Sequence, residues 1–150
     1  MPIKIRKARK TDFKKVFSLI KELASFEKLQ PPDAKAEKRL FKDAFGRNPA
    51  YKMLVAEDGK DIIGYAFYFY SYSSFLAKKT LYLEDIFITE SKRSRGIGKM
   101  FFSELAKIAR KENCGRMEWC VLDWNKNAIE FYNKLGAKPL SEWLYYRLMI

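Results

Sequence analysis

The sequence predicts a mixed α/β fold in which helices flank a central sheet. Stretches with the period of strands and stretches with the period of helices follow one another in the order β-α-α-β-β-β-α-β-α-β. No linker, internal repeat or low-complexity segment interrupts them, and 150 residues with 48% hydrophobic content can fill one core. We therefore expect residues 1–150 to form a single domain.

Each element follows from its own pattern of apolar residues. Ile3 and Ile5 alternate with basic residues, which is typical of a short edge strand. Thr11 can cap the first helix, two prolines stop it, and Gly46 ends a second, shorter helix. The remaining elements are predicted as strands 51–57 and 62–70 around a tight turn, an aromatic loop 71–79, strand 80–88, helix 97–111, strand 116–122, helix 125–135 and strand 143–149.

One strand changes face in its middle, at two carboxylates. Within 80–88, Leu81 and Leu83 share one face, whereas the isoleucines that follow Glu84 and Asp85 share the other. A change of parity in an apolar strand predicts a β-bulge at the acidic pair. Since buried carboxylates are costly without partners, the pair either serves a function at the bulge or reaches solvent.

A glycine-containing loop, Arg93-Ser94-Arg95-Gly96-Ile97-Gly98, joins this strand to the helix after it. Glycines at such a junction leave backbone N–H groups free to meet anionic oxygens, and the helix N-terminus adds partial positive charge. The loop lacks the third glycine of a dinucleotide fingerprint and the Gly-Lys-Ser/Thr of a Walker loop. It predicts a pyrophosphate cradle made by the glycines and the amides from Ser94 to Lys99, with an ordinary glycine turn as the alternative.

The composition limits the chemistry and the partners. The absence of histidine excludes Ser-His-Asp and Cys-His sites, and two cysteines are too few ligands for zinc, so we expect no metal. The net charge of +12 suits anionic partners, but a lysine-rich solvated surface is the simpler interpretation. A nucleic-acid-binding module is the rival class, although the chain has no recognition motif and we expect no nucleic acid partner.

We expect a cytoplasmic protein without a membrane partner. The N-terminus enters a strand directly, without a signal peptide, and no apolar stretch reaches the length of a membrane span. Cys114 and Cys120 form no paired motif, which suits a reducing compartment.

Two motifs together carry a family resemblance. Arg93-x-x-Gly96-x-Gly98, with the downstream segment 124–132 (WNKNAIEFY), resembles the GCN5-related N-acetyltransferase superfamily, which binds acetyl-CoA. The run Leu-Tyr-Leu-Glu-Asp at 81–85 is similar to that of its spermidine/spermine (diamine) branch, and the likeness covers essentially the whole chain. The resemblance implies an acyl-CoA N-acyltransferase fold, with a mixed, mostly antiparallel sheet and a strand split at the acetyl-CoA site. It also implies a homodimer that uses the C-terminal strand.

The resemblance also implies catalytic roles. Glu84 is the candidate base that takes the proton of the amine, directly or through a water, and its place beside the bulge predicts desolvation. Tyr132 is the candidate acid for the departing thiolate, with a core aromatic as its alternative role. Asp85 is expected to attract a second positive charge on the substrate. Cys120 offers a ping-pong alternative, although a buried packing cysteine is the simpler interpretation.

Two binding sets follow from the same resemblance. The acetyl-CoA set consists of a strand edge for the pantetheine arm, the glycine loop for the pyrophosphate and a helix start that meets the same arm. Its members are Ile86, Phe87, Ile88, Arg93, Ser94, Arg95, Gly96, Ile97, Gly98, Lys99, Asn125, Lys126, Asn127 and Ala128. Asn125 has a helix cap as its alternative role, and the two arginines have plain surface charges as theirs. The substrate set comprises Phe26, Glu27, Glu84, Asp85 and Glu118.

The expected reaction is acetyl transfer from acetyl-CoA, as cosubstrate, to a primary amine. A diamine, polyamine or lysine-like small molecule is the main prediction, and a peptide or protein N-terminus is the alternative. The loop before the catalytic strand has the sequence Tyr72-Ser73-Ser74-Phe75 where the polyamine branch carries Asp-Pro. One acidic contact for a polycation is therefore missing.

Overall fold

The first part of the chain, which ends at Trp119, contains both strands and helices. The computed structural model describes residues 2–150, and Met1, the first residue of the predicted domain, lies outside them. The elements of this part are β1 (Lys4–Lys7), α1 (Phe13–Phe26), α2 (Ala34–Phe45), β2 (Lys52–Asp58), β3 (Asp61–Ser73), β4 (Lys78–Ile88), α3 (Ile97–Lys111) and β5 (Arg116–Trp119), with short 3-10 turns at Lys10–Asp12 and Glu90–Lys92.

The strands form one sheet in the order β1-β2-β3-β4-β5. The first four strands pair antiparallel, and β5 pairs parallel with β4. The predicted mixed, mostly antiparallel sheet with flanking helices is therefore confirmed. β5 pairs with β4 only over 80–83, so from Glu84 onward this edge of β4 has no partner strand within residues 2–150. This divergence is the predicted strand split.

Helices cover both faces of the sheet. α1 packs Phe13, Val16 and Phe17 against strand residues that include Val55 and Tyr65. Because side chains alternate between the two faces of a strand, the buried strand residues between these contacts point to the opposite face. α3 packs against β1, β2, β4 and β5 on that side. The core of the first part thus has two layers, one between the sheet and α1 and the other between the sheet and α3.

Several predicted boundaries differ from the observed ones. The predicted strand 116–122 ends at Trp119, and two further differences have local reasons. The second helix was predicted from the apolar residues Leu40, Phe41, Ala44 and Phe45. α2 begins earlier, at Ala34, because the side chain of Asp33 caps it. β3 extends to Ser73, whose Oγ accepts the N–H of Leu76 at 3.1 Å. The predicted loop 71–79 therefore shrinks to a hairpin turn between β3 and β4.

The second part of the chain, Cys120–Ile150, contains the helix α4 (Lys126–Lys134). The side-chain oxygen of Asn125 caps α4 by accepting the N–H of Ala128 at 3.3 Å, and Gly136, with a φ of 88°, follows its end. No helix formed by residues 2–150 combines the length and apolar character that a membrane span requires.

The predicted strand 143–149 is wrong, because the described residues after α4 form no strand. Their apolar side chains are exposed, to 73% for Trp143 and 86% for Tyr146. The alternation of Trp, Leu and Tyr gives this segment a high strand propensity. However, a strand needs a neighbour for its backbone hydrogen bonds, and no pairing among residues 2–150 supplies one.

An ion network fastens β1 to the sheet and to the start of α1. Arg6 donates to both oxygens of Asp12, at 2.8 and 3.0 Å, and to Glu57 at 2.8 Å. Asp12 also accepts the backbone N–H of Arg9 at 2.6 Å, so Asp12, and not the predicted Thr11, organises the start of the helix. The hydrogen bond from Arg6 is the main reason that the pKa of Asp12 lies below its usual value.

Asp12→Asn should lower the free energy of unfolding by about 3 kcal/mol at pH 7, because it leaves the largely buried Arg6 without its main counterion. Since the folded-state pKa of Asp12 is depressed, its contribution is present above the unfolded pKa of about 4. The contribution is lost as the pH falls through the lower folded value. The difference between variant and wild type, measured by urea unfolding, should therefore shrink from pH 7 to pH 2.5.

Glu104→Gln is the matched control, because it breaks the exposed ion pair with Lys107 and should change stability by no more than about 0.5 kcal/mol. A loss for Asp12→Asn as small as that of the control, or a loss that is the same at both pH values, would contradict the role given to the network.

Candidate active site

β4 carries one residue more than β3 at the acidic pair. Phe67 pairs with Asp85 and Tyr68 pairs with Leu83, so Glu84 has no partner in the register. The predicted β-bulge is therefore confirmed. The side chain of Glu84 is exposed, whereas Asp85 turns toward the face of the sheet that α1 covers.

Asp85 is the desolvated member of the acidic pair. Its carboxylate is half-buried and accepts a hydrogen bond from the Tyr65 hydroxyl, 3.0 Å from Oδ2. Burial raises the pKa of Asp85 to about 6; the Tyr65 hydrogen bond opposes this rise, and the charges of Glu84 and Glu27 add to it. The prediction that Glu84 is the desolvated carboxylate is wrong, since its side chain is exposed.

Glu27 completes a cluster of three carboxylates, which we call the acidic cluster: Glu27, Glu84 and Asp85. Glu27 directly follows α1, and burial, with a contribution from the charge of Glu84, raises its pKa. Within residues 2–150, no lysine or arginine forms an ion pair with any member of the cluster. The chain has 30 lysines and arginines, so the lack of a counterion here is not explained by a shortage of cations.

Glu118 differs from the acidic cluster in that it already has a counterion. It lies opposite Tyr82 in the register of β5 with β4 and forms an ion pair with Arg116. Its place in the substrate set stays a prediction.

Arg93 links the end of α1 to the end of β4. Its guanidinium lies 5.5 Å from the ring centre of Phe26 and 5.2 Å from that of Phe87, and its Nε donates to the carbonyl of Ile88 at 2.8 Å. Arg93 thus brings together one member of the predicted substrate set and two of the predicted acetyl-CoA set. These contacts favour a structural role for its side chain.

The glycine loop has the backbone geometry of an anion site. Ser94 and Gly96 have positive φ values of 63° and 75°, and Gly96 directly precedes α3. The N–H groups of Ile97, Gly98 and Lys99 have no acceptor within the helix because they lie in its first turn. No side chain of the described residues caps α3 in their place. A Cβ on Gly96 would meet no atom within 4 Å, so the space beside the loop is open. Free amides at a helix N-terminus form a favourable environment for phosphate oxygens.

Asp58, at the end of β2, anchors the glycine loop. Lys92 and Arg95 each lie 3.4 Å from its Oδ2 atom. The two cations lower the pKa of Asp58, and the hydrogen bond from Lys92 is the main cause. Arg95, predicted to belong to the acetyl-CoA set, therefore already shares a counterion, whereas the backbone of the loop stays open.

The unpaired edge of β4 includes Ile86, Phe87 and Ile88. These residues pair with β3 along their other edge, and β5 does not extend to them. The backbone groups of a free strand edge can bind an extended ligand as an added strand. The edge predicted for the pantetheine arm thus has no partner strand in the described part of the chain.

The second part of the chain holds the remaining predicted residues, Asn125, Lys126, Asn127, Ala128 and Tyr132. The cap that Asn125 makes is the alternative role considered for it. Tyr132 is half-buried, with its ring centre 5.7 Å from that of Phe131, and no residue of α4 is fully buried, so Tyr132 is not sealed in a core. Cys120, expected to be buried, is exposed.

Sequence reasoning missed two residues of the site, Tyr65 and Asp58. Tyr65 contacts a carboxylate 20 positions later through the register of β3 and β4, which no local pattern reveals. Asp58 was expected only as part of a turn. Its contacts with Lys92 and Arg95 join residues 34 and 37 positions apart, which no local pattern reveals.

Comparisons of the sequence with known proteins give one family. A model of the acetyltransferase (GNAT) family matches residues 13–137. Thialysine N-epsilon-acetyltransferase of Mus musculus is 37% identical over an alignment of 155 positions that covers 96% of this chain and 91% of that protein. Spermidine/spermine N(1)-acetyltransferase-like protein 1 of Homo sapiens is 35% identical over 91% of this chain and 21% of its own length. L-ornithine N5-acetyltransferase NATA1 of Arabidopsis thaliana is 47% identical over 58% of this chain and 38% of its own length.

Solved structures agree on the fold. A possible acetyltransferase from Clostridium difficile 630 superposes with a TM-score of 0.85 at 22% identity, covering 100% of this chain and 99% of that one. AAC(6')-Iy, solved in complex with the bisubstrate analog CoA-S-monomethyl-acetylneamine, superposes with a TM-score of 0.83 at 19% identity, covering both chains fully. The chain therefore belongs to the acetyltransferase (GNAT) family as an N-acetyltransferase that acts on amines, and its relatives include members of the diamine branch.

Proposed function

We propose that the chain transfers the acetyl group of acetyl-CoA to a primary amine of a small molecule that carries a second positive charge. A diamine, a polyamine or a lysine-like compound has this charge pattern. The observation that supports the proposal most is the acidic cluster, which has no counterion within residues 2–150 although the chain carries a net charge of +12.

The electrostatics of the cluster favour a cationic ligand. The pKa of Asp85 is raised to about 6 and that of Glu27 is also raised, in both cases by burial and by neighbouring carboxylates. A bound ammonium group close to these carboxylates would stabilise their charged forms and offset the mutual repulsion. A dication can satisfy the cluster more completely than a single ammonium group can.

The activities after which the relatives are named favour one substrate class. The mouse relative is a thialysine acetyltransferase and the Arabidopsis relative is an ornithine acetyltransferase, and both names describe amino acids with a side-chain amine. In this chain the turn that lacks the branch's Asp-Pro is closed by the Ser73 hydroxyl, which accepts from Leu76. We therefore propose a lysine-like amino acid or short diamine ahead of a long polyamine.

The proposed chemistry is direct transfer. An alkyl ammonium group has a pKa near 10 and must lose a proton before it attacks the thioester. Glu84 is exposed at the bulge, where it can take this proton directly or through a water. Tyr132 donates a proton to the departing thiolate. Asp85 and Glu27 bind the second positive group of the acceptor, which does not react.

Acetyl-CoA is proposed to bind mainly to backbone groups of the protein. The amides from Ser94 to Lys99 would hold the pyrophosphate, and the free edge at Ile86, Phe87 and Ile88 would pair with the pantetheine arm. The start of α4, from Asn125 to Ala128, is proposed to meet the same arm, with the Asn125 side chain also capping the helix. Arg93 and Arg95 are proposed to support the loop, since both are engaged by the protein itself.

A peptide or protein N-terminus is the second candidate acceptor. It presents one ammonium group, which leaves most of the acidic cluster without a counterion. A nucleic-acid-binding role has only the net charge and the aromatic residues of 65–72 in its favour. The cytoplasmic location, the single domain and the homodimer stay predictions, and residues 143–149, through which the homodimer was expected to form, are not a strand in the structure.

Gly96→Val should weaken acetyl-CoA binding by about tenfold or more, as measured by calorimetry. A Cβ at this position meets no neighbouring atom, so the effect arises because a β-branched residue disfavours the φ of 75° that aims the loop amides. Gly136→Val is the matched control, since Gly136 also has positive φ and open space around its Cβ but follows α4. Equal affinities for the two folded variants would refute the phosphate role of the loop.

Glu84→Gln and Asp85→Asn should produce different defects. The first removes the proposed base, so kcat/KM should fall about a hundredfold at neutral pH and recover in part as rising pH supplies free amine. The second removes the proposed anchor, so KM should rise about tenfold for a diamine and little for a monoamine of equal length. pH–rate profiles with both acceptors measure this, and identical defects in the two variants would make the acidic pair merely structural.

Tyr132→Phe should lower kcat by about a hundredfold and leave the affinity for acetyl-CoA nearly unchanged, because only the proton for the thiolate is lost. Phe131→Tyr, which alters the neighbouring ring without removing the Tyr132 hydroxyl, is the control. Turnover of Tyr132→Phe equal to that of the wild type would reduce Tyr132 to a packing residue.

A further inference from the structure

Tyr65 is a buried residue that has no role in the direct acetyl transfer proposed above. It lies on β3 with no exposed surface, and its hydroxyl is 3.0 Å from Oδ2 of Asp85. A hydrogen bond between a phenol and a carboxylate at this distance fixes both the position and the rotation of the carboxylate.

Tyr65 is the sole hydrogen-bond donor to Asp85 among residues 2–150. The other groups that face Asp85 are Glu84 on the same strand and Glu27 at the end of α1, and both are acidic. Arg93, which contacts Phe87 two positions after Asp85, is directed to two rings and to the carbonyl of Ile88. Oδ1 of Asp85 thus has no partner in the described chain, while Oδ2 is held.

Resting on the function proposed above, we propose that Tyr65 is a positioning residue for acceptor selectivity. Its hydroxyl holds Oδ2 of Asp85, so that Oδ1 is presented to the distal ammonium group of the acceptor. The preference for a dication over a monocation then depends on a residue that does not itself contact the substrate.

The protonation states agree with this role. Burial and the nearby carboxylates hold the pKa of Tyr65 well above its usual value, so the phenol keeps its proton and acts as a donor throughout any practical assay range. The same hydrogen bond lowers the pKa of Asp85 against the effect of burial. Loss of the hydroxyl should therefore raise the pKa of Asp85, and Asp85 should need a higher pH to become charged.

Tyr65→Phe tests the proposal while it keeps the ring in the core. For a diamine, KM should rise about fivefold to tenfold with kcat nearly unchanged, and a monoamine of equal length should show no change in KM. The acid limb of kcat/KM for the diamine, expected near pH 6 in the wild type, should move to higher pH by about one unit. A structural defect alone would change neither the ratio of the KM values for the diamine and the monoamine nor the midpoint pH of the acid limb.

Two further variants isolate the contact. Tyr51→Phe is the matched control, because Tyr51 is also buried and its hydroxyl donates to the carbonyl of Leu40 at 2.7 Å, not to a carboxylate. It should leave the KM ratio and the midpoint unchanged. In an Asp85→Asn background, Tyr65→Phe should have no further effect on selectivity.

The outcomes separate the two proposals. If the wild type acetylates no amine, the proposed function fails. If it acetylates diamines and Tyr65→Phe leaves the KM ratio and the midpoint unchanged, the role of Tyr65 is overturned and the function stands. If Tyr65→Phe does not fold, the ζ-carbon resonance of labelled Tyr65 in the wild type should shift with a midpoint near pH 6 as Asp85 ionises. A resonance that is constant from pH 4.5 to 7.5 would overturn the role.

Discussion

Glu84 occupies a position in β4 that β3 does not match, and the rest of the site depends on this extra residue. Before it, Leu81 and Leu83 are buried in the core and β4 pairs along both edges. After it, the side chains change face and one edge has no partner strand in the described chain. The bulge therefore places carboxylates and an open length of backbone at the same point, which suits an acceptor amine and an extended cosubstrate.

The distribution of counterions supports the same account. Arg6 is shared by two acids, and Asp58 is shared by two cations, so ion pairing is dense elsewhere in the first part of the chain. The acidic cluster has no such pairs within residues 2–150, and the pKa values of Asp85 and Glu27 are raised as a result of burial and mutual repulsion. A site of this kind is less stable empty than occupied by a cation, which is the condition for binding one.

Local patterns predicted those features that depend on neighbours in sequence. The parity change in β4 predicted the bulge, and Gly96 and Gly98 predicted the loop with its open amides. Features that depend on distant residues were beyond such patterns. The contact of Tyr65 with Asp85 requires the register of two strands, and the exposure of Glu84 depends on how the bulge rotates its side chain. The prediction of a strand at 143–149 was wrong because strand propensity alone does not supply a pairing partner.

The central claim is that an ionised carboxylate cluster selects an acceptor with two positive charges. The most direct measurement uses the wild-type chain with saturating acetyl-CoA and compares a lysine-like diamine with a monoamine in which a methyl group replaces the distal ammonium. The account predicts that kcat/KM for the diamine is higher by about tenfold or more above pH 7. This advantage should be lost as the pH falls through about 6, where Asp85 takes up a proton. Equal kcat/KM values for the two acceptors above pH 7 would contradict it.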